Sequence, residues 1–416
     1  MKTNRDNVDN VPPEQRPLGV PAAEKARNFR LVCFAMTSAF LVHSMLLVAV
    51  PVYALELGAS PLLLGVIFSA PFLLPLILAI PAGAVVTRFG GRNPMLMGAL
   101  ALAVGTFSMA CFPGLGGLIF AQLIIGLAQL HMVLAAQIVI SGLDSGKPLE
   151  RYFGWYTMWL SGGQVVGPLL IGTLLEIGGN TERLFLVMSV IAMVGALGAG
   201  RLAGKARQGM VVERSVTGYR AQGRLLKSNH GVQVSIAVSV VAMYAISVYG
   251  SYLPVYLDSL EISAVMMGML ISMRTLSSML VRPFTSQWIS FAGGRERATL
   301  VAILLLALGL MFTGLTDNYI VLGALAVMVG LGAGICMPLS IVVMAESVDS
   351  RQRSGALGMR LMANRGVNFL APLVFALSLD FGGFGLAFSA GGTVMLAAGC
   401  GLFVFLSRRN RVSHTA

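Results

Sequence analysis

Long apolar segments follow one another along almost the whole sequence, and no other feature limits the fold so strongly. Each segment is long enough to cross a hydrocarbon core about 30 Å thick as a helix. Transmembrane strands would need short segments of alternating polarity, which the sequence lacks. We therefore predict an all-α integral membrane protein with twelve transmembrane helices, at about 31–54, 61–86, 95–112, 115–141, 153–176, 184–204, 231–256, 263–288, 298–316, 319–345, 355–379 and 384–407.

The formal net charge is +12, and the distribution of this charge indicates the orientation of the chain. If the N-terminus is cytoplasmic, 24 of the 29 lysines and arginines fall on cytoplasmic segments, and only Arg183 falls on an outer loop. This distribution follows the positive-inside bias of membrane proteins. We therefore expect both termini in the cytoplasm, a multi-pass location in the inner (plasma) membrane in contact with the lipid bilayer, and no nucleic-acid partner.

The sequence also repeats itself in two halves. Pro51-Val52-Tyr53 recurs as Pro254-Val255-Tyr256, and Gly65 recurs as Gly268, at an offset of 203 residues. An even number of helices per half gives both halves the same orientation, as in transporters built from parallel repeats. We expect two pseudo-symmetric six-helix bundles. The predicted parts are a cytoplasmic tail at 1–30, a first bundle at 31–204, a cytoplasmic linker at 205–229, a second bundle at 230–407 and a cytoplasmic tail at 408–416.

Motifs of enzymatic chemistry are missing from the sequence. Gly204-Lys205 lacks the glycine spacing and the following hydroxyl residue of a phosphate-binding loop. The four cysteines all fall in apolar segments and lack the spacing of metal ligands. We therefore expect no catalytic residue, no metal site and no cofactor, and we predict that the protein is not an enzyme.

The loop after the second segment carries a motif that points to a family. It reads Gly83-Ala-Val-Val-Thr87-Arg88-Phe89-Gly90-Gly91-Arg92. This resembles the signature G-x-x-x-D-R-x-G-R-R of the major facilitator superfamily, with Thr87 at the position of the usual Asp. Together with the twelve segments and the repeated halves, the resemblance covers residues 31–407. It implies a secondary transporter with alternating access, in which Gly83, Arg88, Gly90 and Arg92 belong to the cytoplasmic gate.

The fourth and fifth segments extend the resemblance. Gln122-Leu-Ile-Ile-Gly126 is similar to the family's R-x-x-x-G element, with Gln in place of Arg. The fifth segment, with Gly154, Gly163, Gly167 and Pro168, is similar to the family's antiporter motif. This similarity implies an exporter-type hinge and favours export by proton antiport. The alternative for these glycines is ordinary small-residue packing between helices.

Two arginines are predicted near the middle of the membrane. Arg274 lies roughly 16 Å into the eighth segment and Arg365 roughly 15 Å into the eleventh. No carboxylate lies clearly at the same depth, and a central arginine needs a partner or a wet cavity. A guanidinium suits anionic groups because it donates two parallel hydrogen bonds. We predict that both arginines bind an anionic substrate; the alternatives are backbone carbonyls, Glu346 or Asp349.

Polar and aromatic residues in neighbouring segments complete the predicted substrate site. His43 lies near the middle of the first segment, where it could carry a proton or donate a hydrogen bond to an anion. Asn364 and Asn368 share one helix face and could bind either a polar ligand or a neighbouring helix. In the seventh segment, an aromatic ligand could stack on Tyr244, Tyr249 and Tyr252.

Together these features predict a monomeric secondary transporter for a small organic anion or an amphiphile. Protons are the expected coupling ions. The alternatives are an importer of an anionic metabolite or siderophore, and a membrane sensor that keeps the fold without moving its ligand.

Overall fold

The computed structural model describes residues 21–144, 147–178, 180–203, 219–349 and 352–413. These residues form helices joined by short loops, and none of them is in a strand. Most of the predicted tail at 1–30 and of the predicted linker at 205–229 lies outside the described residues. The all-helical fold predicted from the sequence is confirmed.

Six long helices form the first half of the chain. They are α1 (Ala22–Glu56), α2 (Pro61–Phe89), α3 (Arg92–Cys111), α4 (Leu115–Ser141), α5 (Lys147–Glu176) and α6 (Thr181–Gly200). Helix α1 begins inside the predicted tail. Residues 22–30 are rich in Ala, Glu, Lys and Arg, which are strong helix formers, and they extend the helix beyond its apolar segment.

The second half begins with a short amphipathic helix, α7 (Tyr219–Ser228), whose Leu225 and Leu226 pack against Val232 and Met344. Five further helical stretches follow, and the last continues into the predicted tail at 408–416. They are α8 (His230–Ser259), α9 (Ala264–Val281) with a 3₁₀ turn (Arg282–Phe284) and α10 (Thr285–Phe291), α11 (Arg295–Thr313), α12 (Tyr319–Glu346) and α13 (Arg353–Ser413).

Helix α13 is two helices joined by a sharp break. Gly382 and Gly383 have non-helical backbone angles, and Gly383 has a φ of 69° that glycine adopts without strain. The rings of Phe375 and Phe388 are 4.9 Å apart, whereas thirteen residues of straight helix would span about 20 Å. The chain therefore reverses its direction at this break. The described residues hold 11 helices long and apolar enough to cross a membrane, counting α13 as one.

The two halves pack internally and then meet along three pairs of helices. Helix α1 packs against α5 and α6, and α8 packs against α12 and α13. Between the halves, α5 packs against α9, α2 packs against α13, and α1 packs against α8. In the predicted repeat, α2 is equivalent to α9, and α5 is equivalent to the first part of α13. The contact of α5 with α9 is therefore the equivalent of the contact of α2 with α13.

The halves are held together by two equivalent closing contacts. Ser69 on α2 donates a hydrogen bond to the carbonyl oxygen of Phe369 over 2.6 Å. Ser272, at the predicted offset of 203 from Ser69, donates to the carbonyl oxygen of Val165 over 2.7 Å. One turn away, Gly65 faces the backbone of Pro372, and Gly268 faces that of Pro168.

Glycine is required at these two contacts because a Cβ atom at either position would collide with the facing helix. Both contacts lie toward one end of the bundle, which we call the far end and which holds the loops at 57–60 and 260–263. The other end, the basic end, carries Arg92 and Arg295. The bundle is therefore closed at the far end and open at the basic end.

Replacing Ser69 and Ser272 together by Ala should favour opening of the far end, because two hydrogen bonds between the halves are lost. Each such bond contributes about 1 kcal/mol, so opening should increase about tenfold or more. The measurement is the rate at which an impermeant thiol reagent, added at the far end, labels a Ser251→Cys variant that lacks the four natural cysteines. Ser378→Ala is the control, since Ser378 bonds only within its own helix. An unchanged labelling rate would contradict the prediction.

Candidate functional site

A cavity of about 590 Å³ lies between the two halves. Its volume falls within the usual range for small-molecule sites, about 300–1,000 Å³. Helices α1, α2, α4 and α5 line it from the first half, and α8, α9, α12 and α13 from the second. Ile341 and Leu361 line it on the basic side and are exposed, whereas Val50 and Phe68 on the far side are buried. The cavity therefore opens at the basic end.

Arg274 lines the cavity from α9, and its guanidinium is poorly satisfied by the protein. The residue is only 9% exposed. Its Nη2 atom donates a long hydrogen bond of 3.4 Å to Thr275 Oγ1, and its buried Nε atom has no acceptor among the described residues. A buried donor without an acceptor is costly, so this group is poised to bind a ligand that supplies one.

Arg365 lines the same cavity from α13. Within the described ranges it has no hydrogen-bond acceptor and no carboxylate partner. His43, on α1 of the other half, lies within electrostatic reach of Arg365 and also lines the cavity. The structure thus brings together three of the residues that the sequence predicted for the substrate site.

Arg360 shows how a membrane arginine is satisfied without a ligand. It is 3% exposed, and its Nε and Nη2 atoms donate to Ser340 Oγ over 3.1 and 2.8 Å. Nη2 also donates to the carbonyl oxygen of Met337 over 3.3 Å. Glu346, one partner weighed for these arginines, instead forms an ion pair with Arg295. Arg360 is therefore anchored to α12, unlike Arg274 and Arg365.

Asn364 and Asn368 both line the cavity from the same face of α13. Ser239 on α8 donates a hydrogen bond of 2.6 Å to Oδ1 of Asn364. This bond occupies the amide oxygen and leaves the amide nitrogen, which is a donor, for the cavity. Asn364 therefore binds a neighbouring helix, as one of its two predicted roles required, and it also lines the cavity.

The three predicted tyrosines lie outside the lining of this cavity. Tyr252 is buried, donates to the carbonyl oxygen of Pro372 over 2.8 Å, and packs its ring edge-on against Phe68. Tyr249 is also fully buried. Tyr244 lines a separate apolar pocket of about 290 Å³ between α8 and α13. Tyr249 and Tyr252 therefore pack inside the protein, and none of the three tyrosines lines the cavity that holds the arginines.

Sequence analysis missed several neutral polar residues of the site. Gln129 on α4 lines the cavity, and its Nε2 atom is buried without a partner among the described residues. Ser161 and Gln164 on α5 line it as well. A usable signal existed, because Gln122 and Gln129 are seven residues apart and share a face of an otherwise apolar helix.

The predicted gate residues lie at the basic end and outside the cavity. Gly90 ends α2 with a φ of 77°, which favours glycine. Arg92 donates a hydrogen bond of 2.7 Å to the carbonyl oxygen of Gly200 at the end of α6. The Arg88 guanidinium lies 5.6 Å from the centroid of the Phe89 ring, and Gly83 lies within the last turns of α2. Arg92 therefore fixes the turn between α2 and α3 against α6.

Gly163 and Gly167 of the fifth helix serve close packing in this structure, whereas a Cβ atom at Gly154 would meet open space. Ser44 on α1 donates a hydrogen bond of 3.0 Å to the carbonyl oxygen of Gly163. A Cβ atom at Gly167 would collide with Ser44 and with the backbone of Leu41. Pro168 presents its carbonyl to Gly268 in the closing contact. The small-residue alternative thus describes the geometry of this segment.

The described lining of the cavity contains no aspartate or glutamate but four arginines, namely Arg274, Arg282, Arg360 and Arg365. No cluster of His, Cys, Asp or Glu suited to a metal ion occurs in the described part of the chain. The site therefore carries a strong positive charge, and its unpaired side-chain nitrogens, Gln129 Nε2 and Arg274 Nε, are hydrogen-bond donors.

Comparison with solved structures gives the same architecture in several transporters. A bacterial homolog of the human lysosomal transporter Spinster, in an inward-facing and unoccupied conformation, has a TM-score of 0.73 at 14% identity, over 92% of this chain and 96% of that chain. The nucleoside transporter NupG has a TM-score of 0.73 at 13% identity, over 91% and 99%. A POT family transporter in complex with a thioalcohol-conjugated peptide has a TM-score of 0.73 at 14% identity, over 92% and 96%.

Sequence comparison identifies the family directly. A search of curated proteins gives no significant match. The sequence profile of the Major Facilitator Superfamily, however, matches residues 32–289 and 235–416, which together span nearly the whole chain. The helices, the cavity between two halves and the similar folds all agree with this match. This multi-pass membrane protein, a transporter and not an enzyme, therefore belongs to the Major Facilitator Superfamily.

Proposed function

We propose that this transporter moves a small organic anion, or an amphiphile with an anionic group, by alternating access. The observation that carries the proposal is the state of Arg274 and Arg365. Both line the cavity, and neither has a carboxylate partner within the described residues. Carrying an unpaired charge at membrane depth is costly, and a bound anion removes that cost through paired, charge-assisted hydrogen bonds.

The rest of the lining supports an amphiphilic substrate. Apolar side chains form much of the wall, including Phe40 and Phe72 from the first half and Met243 and Ile246 from the second. Such side chains bind a hydrocarbon or aromatic body, while a few polar groups fix its orientation. A purely polar anion would leave these surfaces in contact with water.

We further propose that the direction is export and that protons are exchanged. Export rests on the similarity of the fifth helix to the family's antiporter motif. Proton exchange rests on His43, which is the one lining residue in the described chain whose ordinary pKa lies near neutrality. With the basic end in the cytoplasm, the open cavity is ready to load substrate from inside the cell.

Replacing both Arg274 and Arg365 by Gln should abolish transport. Hydrogen bonds to a charged group contribute about 1.5–3 kcal/mol each, so the double variant should lose at least about a hundredfold in transport rate. The measurement is flux through proteoliposomes of the organic acid that most raises the melting temperature of the wild-type protein.

Arg183→Gln is the matched control, because Arg183 is an exposed arginine at the far end. Undiminished flux in the double variant would overturn the role of the two arginines. Wild-type protein that binds the acid without moving it would instead be a sensor, and flux only toward the basic end would make it an importer.

Replacing His43 by Gln should uncouple transport from protons, because glutamine keeps a hydrogen-bonding amide but does not titrate. In wild-type proteoliposomes, a pH gradient should drive the same acid against its concentration gradient. In the variant, flux down the concentration gradient should persist while the response to the pH gradient disappears. A variant that still concentrates the acid in response to pH would show that another group carries the proton.

A further inference from the structure

The unpaired side-chain nitrogens of the cavity come from both halves, and the unpaired hydroxyl of Ser247 adds a group that can donate or accept. Gln129 Nε2, on α4, and Arg274 Nε, on α9, are buried and have no acceptor in the described chain. Arg365 also lacks an acceptor, and the described lining has no carboxylate. A ligand that satisfies this cavity must therefore bring several acceptor atoms.

The surroundings of Arg365 are fixed by helix α8. Because Ser239 occupies the amide oxygen of Asn364, the amide nitrogen is the part of Asn364 left to face a ligand. Asn364 and Arg365 are adjacent on α13, and both line the cavity. Ser239 is therefore a positioning residue that leaves a second donor beside the Arg365 guanidinium. This side of the cavity forms one anion-binding pole.

Arg274 forms a separate pole on a different helix. Helix α9, which carries Arg274, packs against α12 and α5. Helix α13, which carries Arg365, packs against α8, α2 and α11. Since α8 and α12 pack against each other, these two helices lie between α9 and α13. The two guanidiniums therefore enter the cavity from different sides.

The two arginines nevertheless lie at similar depth in the bundle. Ser272 and Phe369 belong to the two equivalent closing contacts, which the repeat places at the same level. Arg274 follows Ser272 by two residues and Arg365 precedes Phe369 by four, both toward the basic end. At the helical rise, these steps are about 3 Å and about 6 Å. A line between the two poles therefore runs across the width of the cavity and not along the axis from the far end to the basic end.

The wall between the two poles is mostly apolar, and its polar groups are the hydroxyls of Ser247 and Ser251 on α8. Helix α8 contributes Met243 and Ile246, and helix α12 contributes Ala333 and Met337. Two further arginines of the described chain line the cavity: Arg360, on α13, is tied to Ser340 and Met337, and Arg282 follows α9 toward the basic end and is exposed. A ligand that reaches both poles therefore has an apolar body between two charged ends.

We propose that the substrate is a dianion with two separated anionic groups, of the kind found in α,ω-dicarboxylates, one bound at Arg274 and the other at Arg365 with Asn364. This proposal rests on the proposed transport of organic anions and specifies the substrate class. A monoanion leaves one guanidinium without an acceptor, so the cavity selects for the second charge.

The test is equilibrium binding by the purified full-length protein. Straight-chain α,ω-dicarboxylates of increasing length are compared with monocarboxylates of the same carbon number, at constant ionic strength and at a pH where both carboxyl groups are ionised. The best dicarboxylate should bind at least about tenfold more tightly than the matched monocarboxylate, since it gains a second charged pair. Affinity should peak at one chain length, because the two poles are fixed by the helices.

Single variants then test each arginine as the partner of one carboxylate of the ligand. Arg274→Gln or Arg365→Gln should reduce dicarboxylate affinity about tenfold or more, to the level of the monocarboxylate, and should remove the optimum in chain length. Ser239→Ala should weaken the dicarboxylate less than Arg365→Gln does. Arg183→Gln should leave both affinities unchanged. Arg274→Lys and Arg365→Lys keep the positive charge and should therefore retain the preference for dicarboxylates over monocarboxylates. These two variants replace the glutamine variants if the latter do not fold.

Three results would overturn the proposal. Equal binding of monocarboxylates and dicarboxylates by the wild type would reject the dianion and leave the proposed transport of anions intact. A preference for dicarboxylates that survives both glutamine variants would reject the two arginines as the poles. Binding of neutral or cationic compounds, with none of either acid series, would reject the proposed function itself.

Discussion

The structure depends on two places where helix backbones from the two halves approach within van der Waals contact. Gly65 and Gly268 allow these approaches, because a Cβ atom at either position would meet the facing helix. One turn along, the hydroxyls of Ser69 and Ser272 reach backbone carbonyls across the interface. Because the halves are pinned together at the far end, the basic end stands open and water can enter. The cavity and its arginines therefore lie between the closing contacts and the open end.

The hydrogen-bond partners of each arginine are a stronger argument for an anionic ligand than the number of arginines in the cavity. Arg360 is buried like Arg274, yet Ser340 and Met337 give it acceptors. Arg274 keeps a buried nitrogen without an acceptor. Desolvation affects both groups, but only the second has a deficit that a ligand can remove. The comparison therefore separates a structural arginine from a binding arginine within one cavity.

The sequence predicted the helical membrane fold, the repeat, and the position of Arg274 and Arg365, because apolar length and a charge within it are signals of single segments. It could not predict which face of a helix meets the cavity. Tyr249 and Tyr252 have the spacing of a shared face, yet both are buried, and Tyr252 packs against Pro372 of α13 and against Phe68. Helical periodicity defines faces, whereas their partners depend on how twelve segments are arranged in space. Gln129 was missed for a different reason, because its signal is the seven-residue spacing from Gln122 in an apolar helix and not a charge.

The two repeated halves contribute equally to the closing contacts but unequally to the binding site. The closing contacts are duplicated, with Gly65 and Ser69 in one half and Gly268 and Ser272 in the other. The binding residues are not duplicated: Arg274 is equivalent to Pro71, and Arg365 to Ser161, and both of these equivalents also line the cavity. The halves therefore share their means of opening and closing but differ in charge. An anion held by the second half would stay with it as the first half moves across, so that the cavity can change sides without the charged groups of the substrate leaving their partners.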